Sequence, residues 1–256
     1  MLKSYLSLVK FSHTIFALPF AMVGFTLAIS QDEYSFGWDK LVFVILCMVF
    51  ARSAAMAFNR YIDRDVDSAN PRTAEVREIP NGTIKAKSAL VFVLINAVLF
   101  MASSYMLNSL CFYLSPIALL VILGYSYTKR FTALCHLVLG LGLSLSPIGA
   151  YLAVTASFDL LPILFSCIVL FWVGGFDIIY ALQDESFDKK FNLHSIPVLL
   201  GTKNALLFAR FLHVLTGSIL ISIAYNYFQN SVLFYVAVFV FISLLLNQHR
   251  LVKAHD

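Results

Sequence analysis

Apolar residues run along this chain in eight long blocks separated by short polar breaks. The blocks cover residues 13–30, 41–59, 88–107, 111–127, 134–155, 161–182, 205–226 and 231–247. A bilayer core about 30 Å thick is crossed by about 20 helical residues. Each block is near that length, so each predicts a membrane-spanning helix. The fourth is short and carries Pro116, so it is expected to tilt or to be supported by its neighbours. The predicted fold is all-α, a polytopic transmembrane helix bundle forming one domain over residues 1–256.

Composition agrees with the pattern. The chain is 60% hydrophobic and only 12% charged, whereas a soluble domain averages about 25% charged residues. So few charges cannot coat a soluble globule, and lipid must solvate most of the surface. The four cysteines, Cys47, Cys111, Cys135 and Cys167, stand singly. Their spacing fits neither a disulfide framework nor a zinc site, so they read as packing residues. The first apolar block follows Lys3 and Lys10 without a small-residue cleavage site, unlike a cleaved signal peptide.

Basic residues set the expected orientation. Arg60, Arg64, Arg72, Arg77, Lys85 and Lys87 follow the second block, Lys129 and Arg130 the fourth, and Lys189, Lys190 and Lys203 the sixth. The termini add Lys3, Lys10, Arg250 and Lys253. The opposite loops carry almost no basic residues. Both termini and these three connections are therefore expected on the cytoplasmic side of the plasma (inner) membrane. The net charge of +4 reflects that bias and is no nucleic-acid footprint.

Two inner connections, 60–87 and 183–204, are long and hold nearly all the remaining acids. Long polar connections in a compact protein are usually functional. In the first, Asn59, Asp63 and Asp67 recur at i, i+4 and i+8. If the helix continues, they drift by only about 80° and share one face. Asp65 points elsewhere and reads as a surface acid. In the second, Asp184 and Asp188 repeat the four-residue step, with Tyr180 and Asp177 further back on the same stripe. The matched spacing hints at an old duplication, with no other repeat visible.

Four converging carboxylates repel one another without a counter-ion. Hard oxygen ligands suit Mg2+, which is bound by carboxylates, water and phosphate oxygen. Arg72, Arg77, Lys129 and Arg130 belong to the same side and are suited to holding a diphosphate. A lone acid beside a base at a helix end is commonly a solvated ion pair of little worth. Two D-x-x-x-D pairs at matching helix ends argue for a metal-bridged phosphate instead. An acid inside a span, such as Asp177, is costly and functional by default, although a structural hydrogen-bonding role is open to it. His13, His136 and His194 read as structural hydrogen-bonding residues.

The pattern at 59–67, the following Arg72-Thr73-Ala74 and the second pair at 184–188 resemble the UbiA superfamily of intramembrane prenyltransferases. Tyr125-Ser126-Tyr127-Thr128-Lys129 fits that family's Y-x-x-x-K element. The stretches Arg52–Arg60, Gly175–Asp184 and Leu193–Pro197 look nearest to the 4-hydroxybenzoate polyprenyltransferase branch and its menaquinone-pathway relatives. The resemblance implies nine spans, against eight visible here, and a central cavity open to lipid. It implies two Mg2+ ions on Asp63, Asp67, Asp184 and Asp188, with Asn59 assisting. Arg72, Arg77 and Lys129 would neutralise the leaving diphosphate of a polyprenyl donor. The acceptor would be 4-hydroxybenzoate or 1,4-dihydroxy-6-naphthoate, in ubiquinone or menaquinone biosynthesis. Arg52 or Arg130 would meet its carboxylate, and Tyr125, Tyr180 and Gln183 would join the substrate-binding set. The stretch 72–77 carries one residue more than the family's usual spacing, which puts the register of Arg77 in question. The rival readings are a haem or chlorin prenyltransferase of the same superfamily and a cation-coupled transporter. The latter predicts acids paired at mid-membrane. Membrane lipid is an expected partner, nucleic acid is not, and protein partners are left open.

Overall fold

The computed structural model describes residues 2–252, and it leaves out the side chains of residues 2, 3 and 11–16. Lys253 and the side chains of Lys3 and His13, all weighed above, therefore lie outside the described residues. The elements are helical throughout: α1 (Leu2–Leu8), α2 (Phe11–Ile29), α3 (Trp38–Ile62), α4 (Arg64–Ala69), α5 (Pro71–Ala74) and α6 (Ala86–Leu107). There follow α7 (Ser109–Thr128), α8 (Cys135–Thr155), α9 (Leu160–Ala181), α10 (Glu185–Lys190), α11 (Ile196–Tyr227) and α12 (Val232–Leu251).

Seven helices among the described residues are long and apolar enough to cross a bilayer: α3, α6, α7, α8, α9 with its continuation to Lys190, α11 and α12. The described apolar part of α2 is the shorter stretch Ala17–Ile29. The chain is an integral membrane protein, and each predicted block coincides with one of these eight helices. The two long inner connections are not open loops. The first folds into α4 and α5, and the second into a 3-10 turn over Leu182–Asp184 and then α10. Helix α11 begins earlier than its apolar block because Gly201 (φ 73, ψ 160) breaks it and lets a leading turn attach. Only glycine adopts that conformation freely.

The chain forms two compact units: Met1–Tyr127 with Leu145–Pro162, and Thr128–Ser144 with Ile163–Asp256. In unit 1, α3 packs on α6 through small residues. Ala54, Ala57 and Ala89 are fully buried beside Leu8, Val9, Ile84 and Val93. Small side chains let helix backbones approach, which dispersion forces reward in lipid. A second core joins Phe25 and Ala28 of α2 to Ala150, Tyr151 and Val154 of α8. There the backbones are so close that a Cβ on Gly24 would lie 1.8 Å from the Pro147 carbonyl oxygen. Pro116 does not break α7. Proline removes the N–H that would bond the carbonyl four residues back, and Ser115 Oγ donates to that Phe112 carbonyl instead, at 2.7 Å. Asn108 makes the turn between α6 and α7 by accepting from Cys111 N–H and donating to the Leu152 carbonyl. In unit 2, Ile178, Ile196, Ala205, Ala209 and Leu212 form the core. The four cysteines are free thiols, with Cys135 buried and the others half-buried.

Candidate functional site: two acidic motifs

The first motif lies where α3 ends. The α-helix stops at Ile62, and Asp63 (φ −86, ψ 5) occupies the bridge region that active-site residues often adopt. The expected uninterrupted helix is thus broken at Asp63, yet the four-residue ladder persists. Asp63 N–H donates to the Asn59 carbonyl at 2.9 Å, and Asp67 N–H to the Asp63 carbonyl at 2.7 Å. Asn59, Asp63 and Asp67 therefore stay stacked. Asn59 Nδ2 donates to Asp63 Oδ2 at 2.8 Å. Asp67 is buried, and Arg77 pairs with its Oδ1. Its Oδ2 is buried with no hydrogen-bond partner among the described residues.

The connection after this motif folds around Asp67. Asn70 caps α5 by accepting from Arg72 N–H at 3.0 Å, as short polar residues do at helix starts. Thr73 Oγ1 donates to the Asp67 carbonyl at 2.9 Å, and Arg77 N–H to the Thr73 carbonyl at 2.9 Å. Arg77 thereby reaches the motif. Two charged residues with no assigned role in the sequence reading join it. Arg60 is buried, within electrostatic reach of Asp67, Glu78 and Arg77. Glu78 is buried and accepts from Ser7 Oγ on α1. The available signal was spacing: Arg60 and Asp67 are seven residues apart, two helical turns on one face. Asp65 is exposed, as expected of a surface acid.

The second motif repeats the break. Asp184 (φ −106, ψ 3) ends the 3-10 turn and opens the six-residue α10, just as Asp63 opens the six-residue α4. In both, the second aspartate is the fourth residue of the short helix and is buried. Asp188 has no exposed surface, and its Oδ1 lies 2.8 Å from Lys129 Nζ. Backbone bonds bring the two residues together. Leu193 N–H donates to the Asp188 carbonyl at 2.9 Å, and His194 N–H to the Lys129 carbonyl at 2.8 Å. Glu185, by contrast, is tied to Lys189 and Thr202 at a helix end.

Further back in unit 2, His136 Nδ1 is 2.7 Å from Asp177 Oδ2, and Ile196 N–H donates to His136 Nε2 at 3.2 Å. His136 is thus a structural hydrogen-bonding residue, as expected. His194 is exposed and contributes its backbone. Of the other expected site residues, Arg52 and Tyr125 are half-buried in unit 1, within electrostatic reach of each other. Arg52 Nε is buried without a hydrogen-bond partner among the described residues. Arg72, Arg130, Tyr180 and Gln183 are exposed.

Among the described residues, no three or more His, Cys, Asp or Glu side chains gather closely enough to form an ion cage. Each motif instead offers two carboxylates, one of them buried. That donor set fits Mg2+, which takes one or two carboxylates and completes its shell with water and substrate phosphate. It does not fit zinc, which favours nitrogen and sulfur ligands in a closed site.

Residues 17–256 match the UbiA prenyltransferase family. A 4-hydroxybenzoate octaprenyltransferase of Vibrio atlanticus (strain LGP32) is 32% identical over 219 residues, 86% of this chain and 76% of that protein. One from Aliivibrio fischeri (strain MJ11) is 34% identical over 164 residues, 64% of this chain and 57% of that protein. Among solved structures, a UbiA homologue from Aeropyrum pernix K1 superposes with a TM-score of 0.85 at 31% identity, over 93% of this chain and 88% of that one. A UbiA homologue from Archaeoglobus fulgidus, solved with GPP and Mg2+, superposes with a TM-score of 0.79 at 22% identity, over 96% of this chain and 86% of that one.

Proposed function

This chain belongs to the UbiA prenyltransferase family, and on that premise we propose that it transfers a polyprenyl chain from a polyprenyl diphosphate to the ring of an aromatic acid. The observation that carries the site assignment is the matched pair of motifs. In each, a bridge-region aspartate opens a short helix whose buried second aspartate meets a cation. Each motif, within its own unit, has the residues to hold Mg2+ against a diphosphate.

Asp63, Asp67, Asp184 and Asp188 would hold Mg2+, and Asn59 would assist by orienting Asp63. When bound, Mg2+ would supply Lewis-acid stabilisation of the charge that grows on the departing diphosphate. Arg77 and Lys129 stand beside the buried carboxylates, so their charges are fixed where that diphosphate arrives. Arg72 supplements them from the surface. The C1–O bond of the donor breaks, its electron pair leaves with diphosphate, and an electron-rich ring carbon bonds to C1. Arg52 or Arg130 meets the carboxylate of the acceptor, and Tyr125, Tyr180 and Gln183 complete the substrate contacts. The hydrocarbon tail of the donor requires a groove open to lipid. The positive-inside bias supports a cytoplasmic placement of both motifs and both termini at the plasma (inner) membrane.

The relatives named 4-hydroxybenzoate octaprenyltransferase support 4-hydroxybenzoate as acceptor, and 1,4-dihydroxy-6-naphthoate is the second candidate. Either product would feed quinone biosynthesis. The test is purified protein in lipid with Mg2+ and radiolabelled polyprenyl diphosphate, offered each acid in turn. Labelled product with one acid, lost on chelation of Mg2+, is expected. Transfer to neither acid, with donor and Mg2+ supplied, overturns the aromatic reading.

A further inference from the structure

The carboxylate–imidazole pair of unit 2 stands apart from the diphosphate machinery. Asp177 lies in α9, seven residues before Asp184. Seven helical residues make about two turns and about 10 Å of rise, and a short 3-10 stretch winds only slightly tighter. Asp177 therefore lies on the Asp184 side of the helix, two turns deeper into the span. A carboxylate at that depth is costly unless it is paired or wetted.

Its partner is a neutral ring. His136 Nε2 accepts from Ile196 N–H at 3.2 Å, so the imidazole proton sits on Nδ1 and is donated to Asp177 Oδ2 at 2.7 Å. Both ring nitrogens are then spent. His136 fixes the direction of the carboxylate without neutralising it. Among the described residues, Asp177 has no Lys or Arg partner. The Asp177 side chain keeps 28% of its surface open, against 4% for His136. An open carboxylate is not tolerated by hydrocarbon without a polar neighbour or water. The result is an aimed, unneutralised carboxylate with one free oxygen.

The proposed reaction leaves one event without a residue. When the ring carbon bonds to C1, it carries both the new substituent and its original hydrogen. That hydrogen must leave as a proton, and the C–H electron pair must return to the ring. The carboxylates of the two motifs are occupied with the ions, and the nearby cations with the diphosphate. We propose that Asp177 is the catalytic base that takes this proton on its free oxygen, with His136 as its positioning residue. The ring regains aromaticity, the carboxyl becomes neutral, and water at the mouth later receives the proton. This rests on the aromatic-acceptor reading above.

The test compares the turnover rates with ring-protiated and with ring-deuterated acceptor, each supplied alone at saturation, using the protein in lipid with Mg2+ and radiolabelled donor. In the wild type the two acceptors react alike, because C1–O cleavage limits the rate. In Asp177→Asn the rate falls about 10²-fold and the protiated acceptor reacts faster, because proton removal has become slow. Asp177→Glu, which retains a base, recovers part of the rate and loses the difference. His136→Gln shows a smaller rate loss with the difference present. A rate loss in Asp177→Asn without an isotope difference makes Asp177 purely structural and overturns the proposal, as does full activity in that variant. Absence of transfer by the wild type overturns the underlying reading first, and the isotope comparison within an active wild type overturns the proposal alone.

Discussion

The two acidic motifs are alike in their own backbone and unlike in what holds them. Each has an aspartate in the bridge region, a six-residue helix and a buried second aspartate. In unit 1 the support is local. Arg77 is ten residues from Asp67, Thr73 is six, and Arg60 is seven. In unit 2 the support is distant. Lys129 is 59 residues from Asp188, and it is placed by the backbone of the segment that follows the motif. The same backbone motif is thus stabilised once by a folded loop and once by a helix connection from elsewhere in unit 2. Local support depends on few contacts, and distant support on the whole packing of its unit.

That contrast can be broken at several points. The largest effects should come from the buried aspartates themselves. Asp67→Ala and Asp188→Ala should each lower prenyl transfer by about 10²–10³-fold while the protein still inserts, measured with labelled donor in lipid. Full activity in either variant removes that motif from the site. Next come the cations. Lys129→Ala leaves the fully buried Asp188 without its counter-charge, while Arg77→Ala leaves Asp67 with Arg60 still near. Breaking a buried pair costs about 3–5 kcal/mol, and partial exposure of both cations brings the expectation down to about 1–3 kcal/mol. Thermal unfolding in detergent should show the larger loss for Lys129→Ala, and the reverse order would show that unit 1 depends more on its single pair.

Smaller effects sharpen the comparison. Glu78→Ala removes the buried acceptor of Ser7 and a neighbour of Arg60. It should cost about 1–3 kcal/mol and lower activity through the first motif only. Its loss should therefore add to that of Lys129→Ala in the double variant, and strong non-additivity would mean that the two supports are coupled. The smallest change is expected for Lys189→Ala. The Lys189 side chain is 54% exposed and pairs with Glu185 one turn away, an arrangement worth about 0.3–0.5 kcal/mol. A large loss there would give the second motif a local support after all.

Much of this was legible in the residues. The eight apolar blocks coincide with eight helices because the bilayer imposes one length and one solvent on every span. The acidic stack at 59–67 was readable because hydrogen bonds between residues four apart are a local property of the helix. The helix breaks at Asp63 and Asp184 were not, since nothing in the adjacent residues forces a bridge-region conformation. Glu78 was not, because a lone acid in a polar connection reads the same whether it is buried or exposed, and Arg60 left only its seven-residue spacing from Asp67 as a signal. The short helices inside the long connections were not legible, because four to six polar residues show no apolar period.

The sequence by itself determined the spans, the fold class, the two motifs and the family, because periodicity, length and motif order survive without coordinates. Tertiary structure alone decided which cation meets which carboxylate. Arg72, Arg77, Lys129 and Arg130 were equal candidates along the chain, and packing paired Arg77 with Asp67 and Lys129 with Asp188. It also turned Asp177 from an isolated acid into half of a fixed pair with His136, 41 residues away. The physical reason is range. Helix propensity and hydrophobic pattern act within a few residues, whereas a contact between charges depends on distances that only the assembled unit sets.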